Sequence, residues 1–271
     1  MQALGNDFVV VDTRGGQPPL TAEEAGTLGD RHFGVGCDQV LELSDPGLAG
    51  AAARYRVFNA DGSSAEHCGN GVRCVALYLA DGGAGAANGS MVIEMESGDA
   101  ARVALLANRQ VRVSMGVPDF SPAAIPLAVE TEAEEYEAML PTGPVRFAAL
   151  STGNPHAVIT VADVDSAAVG EIGPAVQALA QFPEQANVGF VEVVDAGRLR
   201  LRVYERGAGE TLACGTGACA AAVVMIRKQQ VQSPVCVALP GGELEIAWEG
   251  PGSEIFMTGP GHSVFEGEIE L

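Results

Sequence analysis

The chain predicts an α/β (α+β) fold built as two pseudo-symmetric domains, and three observations carry that prediction. The first is internal repetition, which has to be read before anything else. Cys68-Gly69-Asn70-Gly71 recurs 146 positions later as Cys214-Gly215-Thr216-Gly217, and at the same offset Arg54-Tyr55-Arg56-Val57-Phe58-Asn59 aligns with Arg200-Leu201-Arg202-Val203-Tyr204-Glu205. Gly5-Asn6 matches Gly153-Asn154 and Gln39 matches Asn187 at an offset of 148, so a two-residue deletion ahead of the Arg-x-Arg segment reconciles the two offsets. The second observation is that most apolar segments are short and bounded by turn residues, as strands are. The third is that each glycine-rich signature runs into a segment that is apolar on nearly all sides, as expected of a helix buried inside its own domain.

In chain order, strands are expected over residues 8–11, 40–43, 54–58, 91–96, 103–106 and 111–115 in the first half. In the second half they are expected over 145–150, 157–161, 189–194, 199–204, 235–239, 243–248 and 254–258. Segments 54–58 and 199–204 alternate with period two. A helix is expected to start at Thr21, whose Thr-x-x-Glu spacing to Glu24 reads as a capping box, with a counterpart over 174–180. The buried helices are expected over 72–79 and 218–226. Met115-Gly116-Val117-Pro118 opens the crossover between the halves, giving domains 1–115 and 116–261. Residues 130–137, with five glutamates, read as a solvated surface segment. A last strand is expected over 264–271.

Composition narrows the functional classes. At 271 residues and 47% hydrophobic, the chain can bury two cores of ordinary size. The formal charge of −20 argues against nucleic acid and anionic membrane surfaces as partners. No apolar run reaches the length of a membrane span, and the first residues have neither the basic nor the apolar region of a signal peptide, so a cytoplasmic location is expected. Lys228 is the one lysine among 15 basic residues, and it lies at an expected helix end, where it reads as a solvated cation. Pyridoxal-phosphate chemistry needs a Schiff-base lysine, so amino-acid chemistry here is expected to run with no cofactor. The spacings around the six cysteines are not those of zinc sites, and no metal is expected. Cys37 and Cys236 read as core thiols.

Cys68 and Cys214 stand at helix starts. There, unpaired N–H groups and the helix dipole favour a thiolate, and glycines let a carboxylate approach the backbone N–H groups of Gly69, Asn70, Gly215 and Thr216. At 100° per residue, Cys74 and Cys219 lie about 240° and about 140° round from them and should face the cores. Two thiols, one per repeat, suit an enzyme that takes a proton from one face of a carbon and returns one to the other. A dithiol redox site would leave unexplained why Asn6, Gln39, Asn59, Asn154, Asn187, Glu205 and Arg206 surround the two cysteines.

The chain resembles the diaminopimelate epimerase family. The residues that carry the resemblance are Leu4-Gly5-Asn6-Asp7-Phe8, Phe58-Asn59-Ala60-Asp61-Gly62, Cys68-Gly69-Asn70-Gly71, Gly153-Asn154-Pro155-His156, Asn187-Val188-Gly189-Phe190, Ala213-Cys214-Gly215-Thr216-Gly217-Ala218 and the most specific block, Glu205-Arg206-Gly207-Ala208-Gly209-Glu210-Thr211. The resemblance implies two barrel-like sheets, each round a central helix, with a final segment, 262–271, returning to the first domain. It implies interconversion of LL- and meso-diaminopimelate without cofactor, on the route to lysine and the peptidoglycan cross-link, by a homodimer. Cys68 and Cys214 would be the two bases, supported by His156 and Glu205. Asn6, Gln39, Asn59, Asn154, Asn187, Glu205 and Arg206 would contact substrate, Arg206 pairing with the distal carboxylate and Glu205 with the distal ammonium. Gln2-Ala3 replace the family's His-Gly, so a short first strand is expected, and Phe265 stands where a tyrosine is frequent.

Two rival readings are a related cofactor-free isomerase, such as proline racemase or a hydroxyproline epimerase, and a metal- or thiol-storage protein. The first would leave Glu205 and Arg206 little to do. The second predicts stoichiometric zinc.

Overall fold

A computed structural model describes residues 1–65, 69–83 and 89–270. The chain divides into two compact units. The first comprises Met1–Ser114 with Thr258–Leu271, and the second Met115–Met257.

In the first unit, the sheet runs in chain order: β1 (Gln2–Ala3), β2 (Asn6–Asp12), β3 (Gln39–Ser44), β4 (Ala53–Asn59), β5 (Ser90–Met95), β6 (Ala100–Leu105) and β7 (Gln110–Ser114). β2 and β3 are parallel because α1 (Ala22–Gly29) carries the chain back between them, and β4 and β5 are parallel on either side of α2 (Gly69–Asp81). The capping box at Thr21 and Glu24 forms as expected, with the Thr21 hydroxyl accepting the Glu24 N–H at 3.2 Å. α2 is buried along most of its length and packs on β1, β2, β6 and β7. α1 covers the other face through a cluster of Leu20, Ala25, Leu28, Cys37, Val40 and Phe58.

The second unit repeats this plan. Its elements are β8 (Tyr136–Leu140), β9 (Gly143–Ser151), β10 (Pro155–Thr160), α3 (Val169–Gln177), β11 (Asn187–Asp195), β12 (Arg198–Glu205), β13 (Gly209–Thr211), α4 (Gly215–Arg227), β14 (Val235–Leu239) and β15 (Gly242–Ala247). Sheet order is β15-β14-β12-β11-β10-β9-β8, with β13 added on β12. β10 and β11 are parallel, as are β12 and β14. α4 packs inside against β9 to β12, β14 and β15, and α3 packs outside on β11 to β13. β10 and the start of β11 are buried residue after residue, since helices cover both faces. β16 (Phe256–Pro260) follows, and its residues from Thr258 onward belong to the first unit.

The structure corrects several expectations. β8 and β13 were not foreseen, while β1, of two residues, is the short first strand expected. β8 begins inside the glutamate-rich segment at Tyr136, whose ring packs 5.8 Å from that of Phe147. Two glutamates of that segment are not merely solvated: Glu132 and Glu135 pair with Arg227 and Lys228 at the end of α4. Lys228 is accordingly half-buried, its side chain 12% exposed, rather than freely solvated. The strand expected over 264–271, within the returning segment 262–271, does not form across its described part. Beyond the His262–Gln2 backbone pair (2.8 and 2.9 Å) those residues are exposed, and Glu266, Glu268 and Glu270 alternate with small or apolar residues with no neighbouring strand to pair. The strand expected over 254–258 lies two residues later, as β16. Cys37 is a core thiol, but Cys236 is half-buried and its sulfhydryl faces Glu243 at 3.5 Å. Cys74 and Cys219 are fully buried in α2 and α4. No helix among the described residues is long and apolar enough to cross a membrane.

Candidate active site

Strand register gathers the recurring polar residues at one end of each sheet. In the first unit Gln39 opens β3, opposite Phe8 of β2 and Asn59 of β4. Asn6 opens β2, and Asn70, one residue into α2, donates from Nδ2 to Asn6 Oδ1 at 3.5 Å. That bond ties the buried start of α2, Gly69 and Asn70, to the same sheet end. The Asn59 amide donates to the Ser63 hydroxyl at 3.0 Å within its own turn. Cys68 lies outside the described residues.

The second unit repeats the arrangement with different chemistry. His156 in β10 sits beside Asn187 of β11 in register, and the Arg206 N–H donates to Asn187 Oδ1 at 2.9 Å. The Asn187 amide is held in turn by the Pro155 carbonyl at 3.2 Å. Glu205 ends β12 and accepts the Thr211 hydroxyl from β13. Arg206 Nη1 reaches the Glu184 carbonyl at 3.4 Å.

Cys214 is the N-cap of α4. Its extended backbone (φ −118°, ψ 109°) lets the sulfur accept the Gly217 N–H at 3.4 Å, the place a serine or aspartate oxygen takes in an ordinary cap. Gly215 and Thr216 are the first helical residues, so their N–H groups have no partner within the helix. A directed run of hydrogen bonds ends on the same sulfur. His156 is 1% exposed, and burial, with the Arg206 guanidinium adding to it, lowers its pKa to about 3, so the ring is neutral. Nε2 lies 2.9 Å from Asn154 Oδ1, an acceptor only, and therefore carries the ring proton. Asn154 Nδ2 then donates to Thr216 Oγ1 at 3.4 Å, leaving the Thr216 hydroxyl hydrogen for Cys214 Sγ, 3.5 Å away.

The protonation state of Cys214 corrects the expectation of a thiolate. Burial is the larger influence and pushes the thiol well above its ordinary pKa, with the Glu205 carboxylate pushing the same way and accepting the S–H. Thr216 and the Gly217 N–H act in the opposite direction and are outweighed. The resting group is a thiol that can give a proton, surrounded by donors that would hold the thiolate left behind.

The described structure thus joins His156, Asn154, Thr216, Cys214 and Glu205 in one hydrogen-bonded set, Asn187 with Arg206 in a second, and Asn6 with Asn70 in a third. It draws Gln39 and Asn59 into none of them through their side chains. Arg73, Asp38, Thr152 and Thr211 touch these residues and were not singled out from the sequence. Arg73 left a readable signal, being a charge inside an otherwise apolar helical segment. Asp38 left none beyond its place beside Gln39.

Comparison with known proteins points one way. A sequence model of the family described as diaminopimelate epimerase matches residues 1–121 and 148–264. The chain is 51% identical over 269 residues to a protein of Xanthomonas campestris pv. campestris named diaminopimelate epimerase, covering 99% of this chain and 94% of that one. It is 50% identical over 271 residues to one of that name from Azoarcus sp., covering 100% and 97%. Among solved structures, a probable proline racemase from Agrobacterium radiobacter K84 aligns with TM-score 0.68 at 17% identity, covering 100% of this chain and 91% of that one. A hydroxyproline epimerase from Agrobacterium vitis aligns with TM-score 0.65 at 16% identity, covering 97% and 89%. These two likenesses show the fold.

Proposed function

The chain belongs to the diaminopimelate epimerase family, and from that premise we propose that it inverts one α-carbon of diaminopimelate, interconverting the LL and meso forms, with Cys68 and Cys214 as the two proton-transferring groups. The observation that carries the assignment of Cys214 is its place as the N-cap of α4, protonated by burial and by Glu205, with Thr216 and the Gly217 N–H turned toward its sulfur.

An α-proton beside an ammonium and a carboxylate is a weak acid, so its removal needs a positioned base, a positioned acid and stabilisation of the developing charge. In one direction, Cys68 as thiolate takes the α-proton and the bonding electrons stay on carbon, delocalised into the carboxylate. Cys214 then delivers its S–H proton to the opposite face, leaving Cys68 a thiol and Cys214 a thiolate. The Thr216 hydroxyl and Gly217 N–H stabilise that thiolate, and the N–H groups at the helix starts, of Gly215 and Thr216 and of Gly69 and Asn70, receive the α-carboxylate. His156 fixes the Asn154 amide and through it the Thr216 hydroxyl. Arg206 pairs with the distal carboxylate through its planar fork and Glu205 with the distal ammonium, while Asn6, Gln39, Asn59, Asn154 and Asn187 supply uncharged hydrogen bonds. These are the chain's own groups, and the reaction calls on no cofactor. We place the enzyme in the cytoplasm, on the route to lysine and peptidoglycan precursor, as a homodimer; the exposed Val264, Phe265 and Ile269 offer apolar surface for a second copy.

The test is conversion of LL-diaminopimelate to the meso form by the purified protein, treated with EDTA and given no pyridoxal phosphate. Equilibration of the two isomers is the expected result. Turnover of proline or hydroxyproline in its place would move the chain to the other substrate class.

A further inference from the structure

Three side-chain hydrogen bonds in the first unit all point the same way. Arg73, wholly buried in α2, donates from Nη2 to Asn70 Oδ1 at 2.9 Å. Asn70 donates from Nδ2 to Asn6 Oδ1 at 3.5 Å, and Asn6 donates from Nδ2 to Asp38 Oδ2 at 2.9 Å. The two ends of a primary amide have the same shape and opposite roles, so its orientation is decided by its neighbours. Here the terminal groups each have one role: a guanidinium only donates, and a carboxylate at neutral pH only accepts.

Both ends are themselves anchored. Arg73 also donates from Nε to the Pro260 carbonyl at 3.1 Å and from Nη1 to the Gly69 carbonyl at 3.5 Å. Asp38 accepts Arg31 Nη2 on Oδ1 at 2.8 Å and the Asp7 N–H on Oδ2 at 3.1 Å. Arg31 is held by both oxygens of Asp7, at 3.0 and 2.9 Å.

We infer that Arg73 and Asp38 are positioning residues that set the donor and acceptor ends of the Asn6 and Asn70 amides, and with them the hydrogen-bonding pattern the first unit offers to substrate. This rests on the reading that those amides serve a diaminopimelate site. The second unit reverses the direction. There the asparagine equivalent to Asn6, Asn154, donates to Thr216, the equivalent of Asn70, and the run ends on a thiol rather than a carboxylate.

Asp38→Asn is the informative variant. An asparagine has one accepting oxygen for two sides, so it serves either Arg31 or the pair Asn6 Nδ2 and Asp7 N–H, and position 38 no longer holds Asn6 in a single orientation. Where the new amide nitrogen faces Asn6, two donors meet, Asn6 turns, and Asn70 Nδ2 loses the Asn6 oxygen as an acceptor. Asp38 is exposed, so the protein still folds. Side-chain amide NMR of Asn6 and Asn70 is measured beside steady-state kinetics on diaminopimelate. The expected result is displaced resonances for both residues and a KM raised about tenfold with kcat changed by less than about threefold, as for loss of binding made equally in ground and transition states. Arg73→Gln should act the same way, and Arg73→Lys, which keeps a donor-only group, should recover most of the affinity. Unmoved Asn70 resonances in Asp38→Asn, or a loss carried by kcat that tracks a fallen melting temperature, would overturn the assignment. If the wild-type protein does not turn over diaminopimelate, the proposed function fails, while the NMR comparison still decides the hydrogen-bond run.

Discussion

At Cys214 and His156, burial pushes an acid and a base in opposite senses, and each shift can be read by removing one neighbour. Desolvation favours the neutral form of either group, so it raises the thiol and lowers the imidazole. The Glu205 carboxylate adds to the first and the Arg206 guanidinium to the second. Glu205→Gln should therefore lower the Cys214 pKa without returning it to the ordinary range, since burial remains. Thiolate absorbance near 240 nm against pH, with Cys214→Ala as the blank, measures this, and an unmoved or raised titration would show that the carboxylate does not act on the sulfur. His156 has a folded pKa of about 3 against an ordinary 6.5. Its folded state binds fewer protons than its unfolded state between those values. Stability from this source is present above pH 6.5 and is lost as pH falls toward 3, at up to about 1.4 kcal/mol per pH unit. In urea unfolding, His156→Gln should flatten that part of the pH dependence relative to wild type, and parallel curves would contradict a buried neutral ring. Neither protonation state was legible in the sequence. A cysteine at a helix start reads as activated, and only the enclosure of the site by neighbouring elements reverses the balance.

The two inner helices show how far local pattern specifies an element. The apolar runs after the two signatures gave away α2 and α4, and the Thr21–Glu24 spacing gave away α1, because in each case the information is local. β13 has three residues and β1 two, too few to show a period. β8 was hidden by glutamates on one side of it, and the partners that neutralise two of them, Arg227 and Lys228, stand more than ninety residues away. Helix starts also constrain their glycines. A Cβ on Gly217 would lie 3.0 Å from Val203 Cγ2 and 3.2 Å from Cys214 Sγ. Gly217→Ala should therefore not deliver the gain of about 1 kcal/mol that alanine brings to an unconstrained helix interior. It should displace the thiol and lower kcat at least tenfold while far-UV circular dichroism is unchanged. An active, more stable variant would show that the close approach of α4 to β12 is not needed.

The duplication governs the whole molecule. A shared order of strand, helix, strand, strand, helix, strand appears in both units, with parallel pairs at corresponding places, and it was legible because both copies kept the Arg-x-Arg strand and the Cys-Gly-x-Gly helix start. What lacks a counterpart was read poorly. The last segment has no repeat to align with: the strand expected over 254–258 forms two residues later, and the one expected over 264–271 does not form across its described part. The first unit closes with residues from both chain ends, through His262 paired to Gln2 and the Pro260 carbonyl accepting from Arg73. Deleting residues 258–271 should cost several kcal/mol, which at about 2–4 °C per kcal/mol lowers the melting temperature by roughly 10 °C. An unchanged melting curve would mean that this segment does not complete the first unit.

Two thiols working in turn on one carbon is the central claim, and the fate of the proton tests it most directly. LL-diaminopimelate is incubated with the purified enzyme in deuterated water, and the earliest product and the recovered substrate are analysed by mass spectrometry. If one thiol removes the proton and the other delivers one already exchanged with solvent, the first meso product carries deuterium at the inverted carbon while the recovered LL substrate remains unlabelled. Replacing Cys214 by alanine should abolish the labelled product. Protium retained in the product, or substrate labelled as fast as product forms, would mean that a single group both takes and returns the proton.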